Sequence, residues 1–484
     1  MKKIYKKLFK IVLPISFQFV MMSLVSASDA FMLGFLDQDS LSAVSLAGQV
    51  IFVNSLFFEA FNYGCSVLAA QYWGKGDKKT VEEVLAITMR YTLLVGLIFT
   101  LATFFIPQQI MHIFTDDNEL IIRGARYLRM ASLSYIICGF AQIYFGILKV
   151  CDRAGLSSLI GSLSVILNIA LNALLIFGFG PFPRMGIEGA ALATVIARIF
   201  EAIFVIVLVV LKKSIPLNVS KMLMLDRLTV KKVEYETENE TEKETGKETE
   251  KESKAEKLKN SKALHKDYWK YTVPLLFNQL GWGGGVTMYS VIMGRLGSDA
   301  IAANSIASIV RSIVASFCWG ISSGVSIILG QMLGRNELED AKKAGGSFVR
   351  FSILIGAISG LILLAITPAL LAFVNLEGTA HFYLKIMMFY ASYYIIGNSL
   401  NSTIIGGIFP AGGDTKFGMW CDIITLWCVV VPMGMIGAFV LKLPVLVVAF
   451  ILTLDEFVKI PAVYRHYMKY IWVKNITRDL DKDE

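Results

Sequence analysis

Two stretches, KIVLPISF near the start and KYTVPLLF past the middle, place Pro14 and Pro274 260 residues apart. The same offset relates Gly34 to Gly294, Gly64 to Gly324, Gln71 to Gln331, Gly74 to Gly334 and Arg90 to Arg350. Six pairs at one offset mark a tandem duplication. A duplication restricts the fold to two copies of one unit packed together.

Each unit is a string of long apolar runs. The chain is 55% hydrophobic and 17% charged, whereas a soluble domain carries about 25% charged residues. The charge is clustered at the N-terminus, around 212–270 and at the C-terminus. The pattern predicts an all-α polytopic membrane protein with about twelve transmembrane helices. The first six spans are expected near 11–35, 41–70, 84–106, 127–149, 157–179 and 187–211. The second six are expected near 271–293, 301–331, 348–373, 383–409, 417–440 and 443–466. Six is an even number, so both halves insert the same way up, as two lobes related by a pseudo-twofold axis along the membrane normal. The expected domains are an N-lobe over 1–211, a charged cytoplasmic linker over 212–269 and a C-lobe over 270–484.

Orientation follows from Lys and Arg. Lys2, Lys3, Lys6, Lys7 and Lys10 open the chain, and Lys75, Lys78 and Lys79 follow span two. Arg335, Lys342 and Lys343 follow span eight. The alternate loops GFLDQDS and GRLGSD are poor in cations, with Arg123, Arg126 and Arg129 before span four as the exception. Both termini and the linker are therefore expected on the cytoplasmic side of the inner (plasma) membrane. The linker stretch EYETENETEKETGKETEKESKAEKLKNSK lacks apolar periodicity and reads as solvated coil or a lone charged helix.

The net charge of +8 reads as topology signal beside anionic lipid and not as a nucleic-acid surface, because no basic face alternates with stacking aromatics. The basic start and small residues Ser26, Ala27 and Ser28 resemble a cleaved signal peptide, but the repeat requires that first segment to be retained. The six cysteines form no CxxC, and the four histidines are scattered, with no HExxH. No enzymatic motif, no cofactor and no nucleotide-binding GxxxxGK[ST] is implied.

Polar groups inside the spans carry the chemistry. Asp29, in SASDAFMLG, lies within an apolar run, where a carboxylate costs roughly 2.5–3.5 kcal/mol to insert. Such an acid reads as a proton or cation site facing an internal cavity, since a buried carboxyl can exchange a proton and hard cations prefer oxygen ligands. Asn168 and Asn172, in NIALNALLIFG, are four apart and share one helix face, and Thr194 lies deep in span six. Asp29, Asn168, Asn172 and Thr194 form the expected ion site, with Na⁺ as the metal it could hold. Glu59 is a second intramembrane acid. Span seven is rich in glycine, with Gln279, Trp282 and Tyr289 along it. Those three, with Glu59 and Arg311, form the expected substrate cavity. Arg198 and Glu201, three apart, read as an ion pair. Asp455 and Glu456 have Lys459 within a helical turn, and Asp422 falls near the cytoplasmic start of span eleven.

These residues resemble the multidrug and toxic compound extrusion (MATE) family, in its bacterial branches. The likeness covers nearly the whole chain outside the linker. Pro14 with Asp29 in DAFMLG carries it, as do QYWGKGD with QMLGRNE and GILKVCDRAG with GGIFPAGGDTK. NIALNALLIFG followed by GIEGAALAT completes it. The resemblance implies two six-helix lobes about a central cleft, alternating access, and export of amphipathic cationic small molecules against H⁺ or Na⁺ entry. It implies an N-lobe ion site at the positions of Asp29, Asn168, Asn172 and Thr194. Two amides depart from the pattern: Asn172 stands where relatives often have aspartate, and Gln279 stands where many have glutamate. The alternative is a lipid-linked precursor flippase of the same architecture, which should carry a more basic cavity. The repeat supplies both lobes, so a monomer is expected to suffice in the bilayer.

Overall fold

The computed structural model describes residues 2–211, 215–216, 246–374, 376 and 378–478. All regular elements among the described residues are helical. The first unit is α1 (Lys2–Gly34), α2 (Gln38–Lys75), α3 (Lys78–Phe105), the short α4 (Pro107–His112), α5 (Asn118–Val150), α6 (Ala154–Phe177) and α7 (Ile187–Val210). The second is α8 (Gly246–Gly294), α9 (Ser298–Gly334), α10 (Leu338–Phe373), α11 (Gly378–Asn401), α12 (from Thr415), α13 (Val445–Leu452) and α14 (Asp455–Tyr467). Starts repeat at the sequence offset: Gln38, Lys78 and Asn118 open α2, α3 and α5, while Ser298, Leu338 and Gly378, each 260 later, open α9, α10 and α11. The protein is thus an all-α membrane protein of about twelve membrane-spanning helices in two pseudo-twofold lobes.

Among the described residues, nine helices are long and apolar enough to cross a membrane. α8, α11 and the pair α13–α14 fall at the other three spans expected from the sequence. Large apolar side chains point outward: Phe105 is 69% exposed, Val210 70% and Phe373 87%. In water such a belt would cost free energy; against hydrocarbon it does not.

Local chemistry sets the corners. Asp37 caps α2 by accepting from the Ser40 backbone N–H at 2.7 Å, and Asp77 caps α3 through Thr80 N–H at 2.9 Å. The Ser40 amide, with the Ser40 hydroxyl and Arg123 beside it, holds the Asp37 carboxyl below the usual carboxylate range. Its cap is therefore charged at neutral pH and is lost only as pH falls below about 4. Gly76 ends α2 at φ +89°, and Asn336, 260 residues later, ends α9 at φ +63°. Glycine and asparagine are the residues that enter this left-handed region at least cost.

Three expectations need adjustment. Span twelve, expected unbroken over 443–466, is cut between α13 and α14. Thr453 sits at the break, where its backbone N–H and its hydroxyl both donate to the Phe450 carbonyl, at 3.0 and 2.7 Å, and the hydroxyl also bonds Tyr393, so the side chain adds to the tight turn that ends α13. Spans ten and eleven contain wide π-helical turns, Ser402–Ile408 and Ile424–Val430, just before Pro410 and Pro432. A proline lacks an N–H and crowds the preceding turn, and widening that turn makes room for it. Most of the expected linker, 217–245, lies outside the described residues, as do 212–214. Its last part is helix continuous with span seven, and there Leu264 and Tyr268 are buried. Tyr268 and Trp269 pack on Tyr91 of α3, so α8 reaches across to the N-lobe.

The lobes meet where the repeated residues cross. A Cβ on Gly74 would collide with the backbone of Gln331, and one on Gly334 with the backbone of Gln71. A Cβ on Gly64 would meet Thr272, and one on Gly324 would meet Val12, positions again related by the repeat. The two glutamines reach across the axis. Gln71 Nε2 donates to the Ala411 carbonyl at 2.7 Å, and Gln331 Nε2 donates to the Val150 carbonyl at 2.8 Å. Each satisfies a helix C-terminus that has run out of backbone donors. The chain after α14 closes the same end: Ile476 N–H donates to Gln71 Oε1 at 2.8 Å, and Arg478 forms a bidentate pair with Asp267 at 2.6 and 2.9 Å. Trp472 is fully buried beneath it.

Gly334→Ala or Gly74→Ala should force this crossing apart, because backbone cannot yield as a side chain can, at a cost of about 1–3 kcal/mol. Spin labels at the exposed positions Lys79 and Glu339 should then report a longer, broader distance distribution than in the parent protein. An unchanged distribution would show that the crossing tolerates the extra atom.

Candidate functional site

Asp29 lies on α1, beyond the stretch that packs on α9, and faces α6. Its Oδ1 accepts from Asn172 Nδ2 at 2.5 Å. Asn172 Nδ2 also approaches Asn168 Oδ1 at 3.3 Å, and Asn168 Nδ2 points to Thr194 Oγ1 at 3.5 Å. Thr194 in turn donates to the Ala190 carbonyl at 3.1 Å. Four residues from α1, α6 and α7 thus form one chain of polar contacts. Asn168 and Asn172 meet because they are one turn apart on α6. The small residues Ala190 and Ala191 opposite let α7 come close.

Asn172 is fully buried, and its Oδ1 has no hydrogen-bond partner. That orphan acceptor matters chemically. An amide offers one donor and one acceptor end, so Asn172 can donate to an ionised Asp29 and, once turned, accept from a protonated one. The oxygens of Asp29, Asn168, Asn172 and Thr194 are also the hard donors that suit Na⁺. Arg198, the nearest cation to this group, is engaged elsewhere: it holds both oxygens of Glu201 at 3.0 and 2.9 Å.

A second polar region lies between the lobes. A cavity of about 420 Å³ is lined by Glu59 and Phe19 from the N-lobe and by Gln279, Trp282 and Trp319 from the C-lobe. Glu59 Oε2 accepts from Gln279 Nε2 at 2.8 Å, directly across the lobe boundary. Of the residues expected here, Glu59, Gln279 and Trp282 line this space. Tyr289 and Arg311 are not on its wall. Tyr289 packs against the C-lobe core, and Arg311 lies over the Tyr394 ring, 5.0 Å from its centroid, a cation–π contact.

A family model described as MatE matches residues 14–174 and 274–436, about two thirds of the chain. The chain belongs to the MatE family. The two matched segments begin 260 residues apart, so the family unit is the repeat itself. Among relatives, the "Uncharacterized transporter YisQ" of Bacillus subtilis is 21% identical, covering 96% of this chain and 95% of its own. The "Probable multidrug resistance protein YoeA" of the same organism is 25% identical, covering 91% and 88%. A solved structure described as "Crystal structure of MATE in complex with MaL6" superposes with a TM-score of 0.81 at 15% identity, covering 97% of this chain and 96% of that one. That likeness speaks for the MatE fold alone.

The sequence reading left one part of this MatE chain unassembled. Asp422 of α12, Glu456 and Lys459 of α14, and Asn278 of α8 all line the interlobe cavity. The DExxK spacing of Asp455, Glu456 and Lys459 was the signal for part of it. Asp422, two turns into α12, is buried and joined to Lys459 at 2.9 Å.

Asn172→Leu keeps the branched shape, at a somewhat larger volume, and removes the amide. It should lower the midpoint of thermal unfolding in detergent, corresponding to about 1–3 kcal/mol for a buried charge left without its donor. Combined with Asp29→Asn the loss should shrink, and a double-mutant cycle reads the difference as coupling. Strict additivity would mean that the two side chains do not interact.

Proposed function

We propose that the protein is a secondary active exporter. It moves amphipathic, cationic small molecules out of the cell in exchange for H⁺ or Na⁺ by alternating access. The observation that carries this reading is the contact of Asp29 with Asn172, inside the N-lobe and apart from the interlobe cavity. One lobe then holds an ion while the space between the lobes holds a substrate. The name of the relative YoeA, a probable multidrug resistance protein, supports the substrate class. So does the cavity, whose aromatic walls are joined by the carboxylates of Glu59, Asp422 and Glu456 against the ammonium of Lys459 on the wall and that of Lys149 behind Phe19. Such a formally acidic space is the wrong sign for the pyrophosphate of a lipid-linked precursor.

The geometry supports the following working cycle. With both termini cytoplasmic in the plasma membrane, the glycine crossing and the tail close the cytoplasmic end, and the described state is the outward-facing one. Protonation of Asp29, or Na⁺ among its oxygen neighbours, removes the demand for the Asn172 donor. The α1–α6 contact is then free to rearrange and substrate leaves outward. Loss of the ion to the cytoplasm resets it. The membrane potential supplies about 2.3 kcal/mol per charge per 100 mV. Asn172, in place of an acid, leaves Asp29 as the one carboxylate of this group, so a single ion per cycle is expected. A monomer suffices because both lobes lie in one chain.

The test is efflux of a fluorescent organic cation from proteoliposomes under an imposed pH gradient or Na⁺ gradient. One gradient should drive efflux in the parent protein, and Asp29→Asn should abolish the driven component while leaving substrate binding measurable. Full gradient-driven transport by Asp29→Asn would remove Asp29 from the mechanism.

A further inference from the structure

The C-lobe wall of the interlobe cavity holds an ion pair that the exporter cycle has not used. Lys459 Nζ lies 2.9 Å from Asp422 Oδ1 and 3.1 Å from Glu456 Oε2, and the three side chains are 8%, 11% and 4% exposed. All three line the cavity with Glu59. Each carboxylate has a second support independent of the lysine. Asn278 Nδ2 donates to Asp422 Oδ2 at 2.7 Å. Asn398 and Asn401 donate to Glu456 Oε1 and Oε2 at 3.1 and 2.7 Å. These amides keep the acids aimed at one point whether or not the ammonium is there.

The lysine has somewhere else to go. Asp455 is four residues before it on α14, so both lie on one helix face. Asp455 is 3% exposed, and its Oδ1 has no hydrogen-bond partner. A buried carboxylate oxygen left unpaired is costly, and an incoming ammonium would satisfy it. Lysine suits such a move, being a point charge on a flexible stem where arginine would lock into a fork. The other charge facing this group is Arg311, which lies near Asp455 but is held over Tyr394.

We propose that Lys459 is a resident counter-cation in a substrate station. The cationic nitrogen of an exported amine binds between Asp422 and Glu456 by displacing the Lys459 ammonium toward Asp455. This rests on the exporter reading and adds to it the place and rule of recognition. A neutral molecule cannot make the exchange, because it would leave two buried carboxylates uncompensated. A cation can, since it returns the charge it displaces.

Binding of hexyltrimethylammonium and hexamethonium, a matched monocation and dication, to the full chain in lipid nanodiscs tests this by calorimetry. Lys459→Met removes the competitor and one positive charge. Both probes should then bind more tightly, and the dication should gain roughly tenfold over the monocation. Lys459→Arg should weaken both, because a bidentate guanidinium is harder to displace. The opposite pattern, with arginine preserving binding and methionine losing it, makes Lys459 a structural pillar and overturns the proposal. If Lys459→Met does not fold, Asp455→Asn serves, since it removes the alternative partner without touching the cavity wall. Weaker binding there supports the exchange, and unchanged binding overturns it. A parent protein that binds neither probe overturns the cation-exporter reading as well. A parent that binds both, with variants unmoved, overturns this inference alone.

Discussion

Everything in this molecule hangs on two helices crossing with nothing but hydrogen between their backbones. At Gly74 and Gly334 the chain of one lobe lies directly on the main chain of the other, at Gln331 and Gln71. That approach brings each glutamine within reach of the far lobe's helix end. It also sets the distance at which Glu59 can meet Gln279 and the cavity can form between them. In lipid there is no hydrophobic gain in bringing helices together, so close packing and interhelical hydrogen bonds supply the attraction. The repeated glycines and glutamines provide both.

The scaffold is symmetric, but its chemistry is not. Tyr289 occupies the C-lobe position that matches Asp29, 260 residues on, and there it packs in an apolar core. Asp422 and Glu456 of the C-lobe face the cavity, while Asp455 beside them is buried off its wall. Duplication thus supplied two equivalent bundles, and substitution within them left a different set of polar groups in each. A single Asp29–Asn172 contact can then bias a whole lobe, because packed helices have discrete arrangements and do not deform continuously.

Much of this was legible before any coordinates. The constant offset gave the two lobes, and the long apolar runs gave the approximate spans. The grouping of Asp29 with Asn168, Asn172 and Thr194 was readable because an acid in hydrocarbon needs polar neighbours, and few polar residues stand in the nearby spans. The Arg198–Glu201 pair was readable from its spacing. Other features depended on contacts between distant segments. Asp422 and Lys459 are 37 residues apart and on different helices, so no local spacing joins them. Tyr289 and Arg311 looked available for a cavity because their helices are apolar, but helix rotation decides which face a residue presents. The break at Thr453 is a tight turn reinforced by a side chain, which composition alone does not resolve.

The segment that follows α14 has a consequence for biogenesis. Trp472, Ile476 and Arg478 close the end of the molecule where the lobes cross, and they follow α14, the last helix among the described residues. Domains emerge from the ribosome N-terminal first, so both lobes can be inserted and packed internally while this end still lacks its plug. The newly made protein therefore passes through a stage with its lobes complete and its passage unsealed. Sealing waits on a segment made after α14, and the end where the lobes cross closes only when that segment docks.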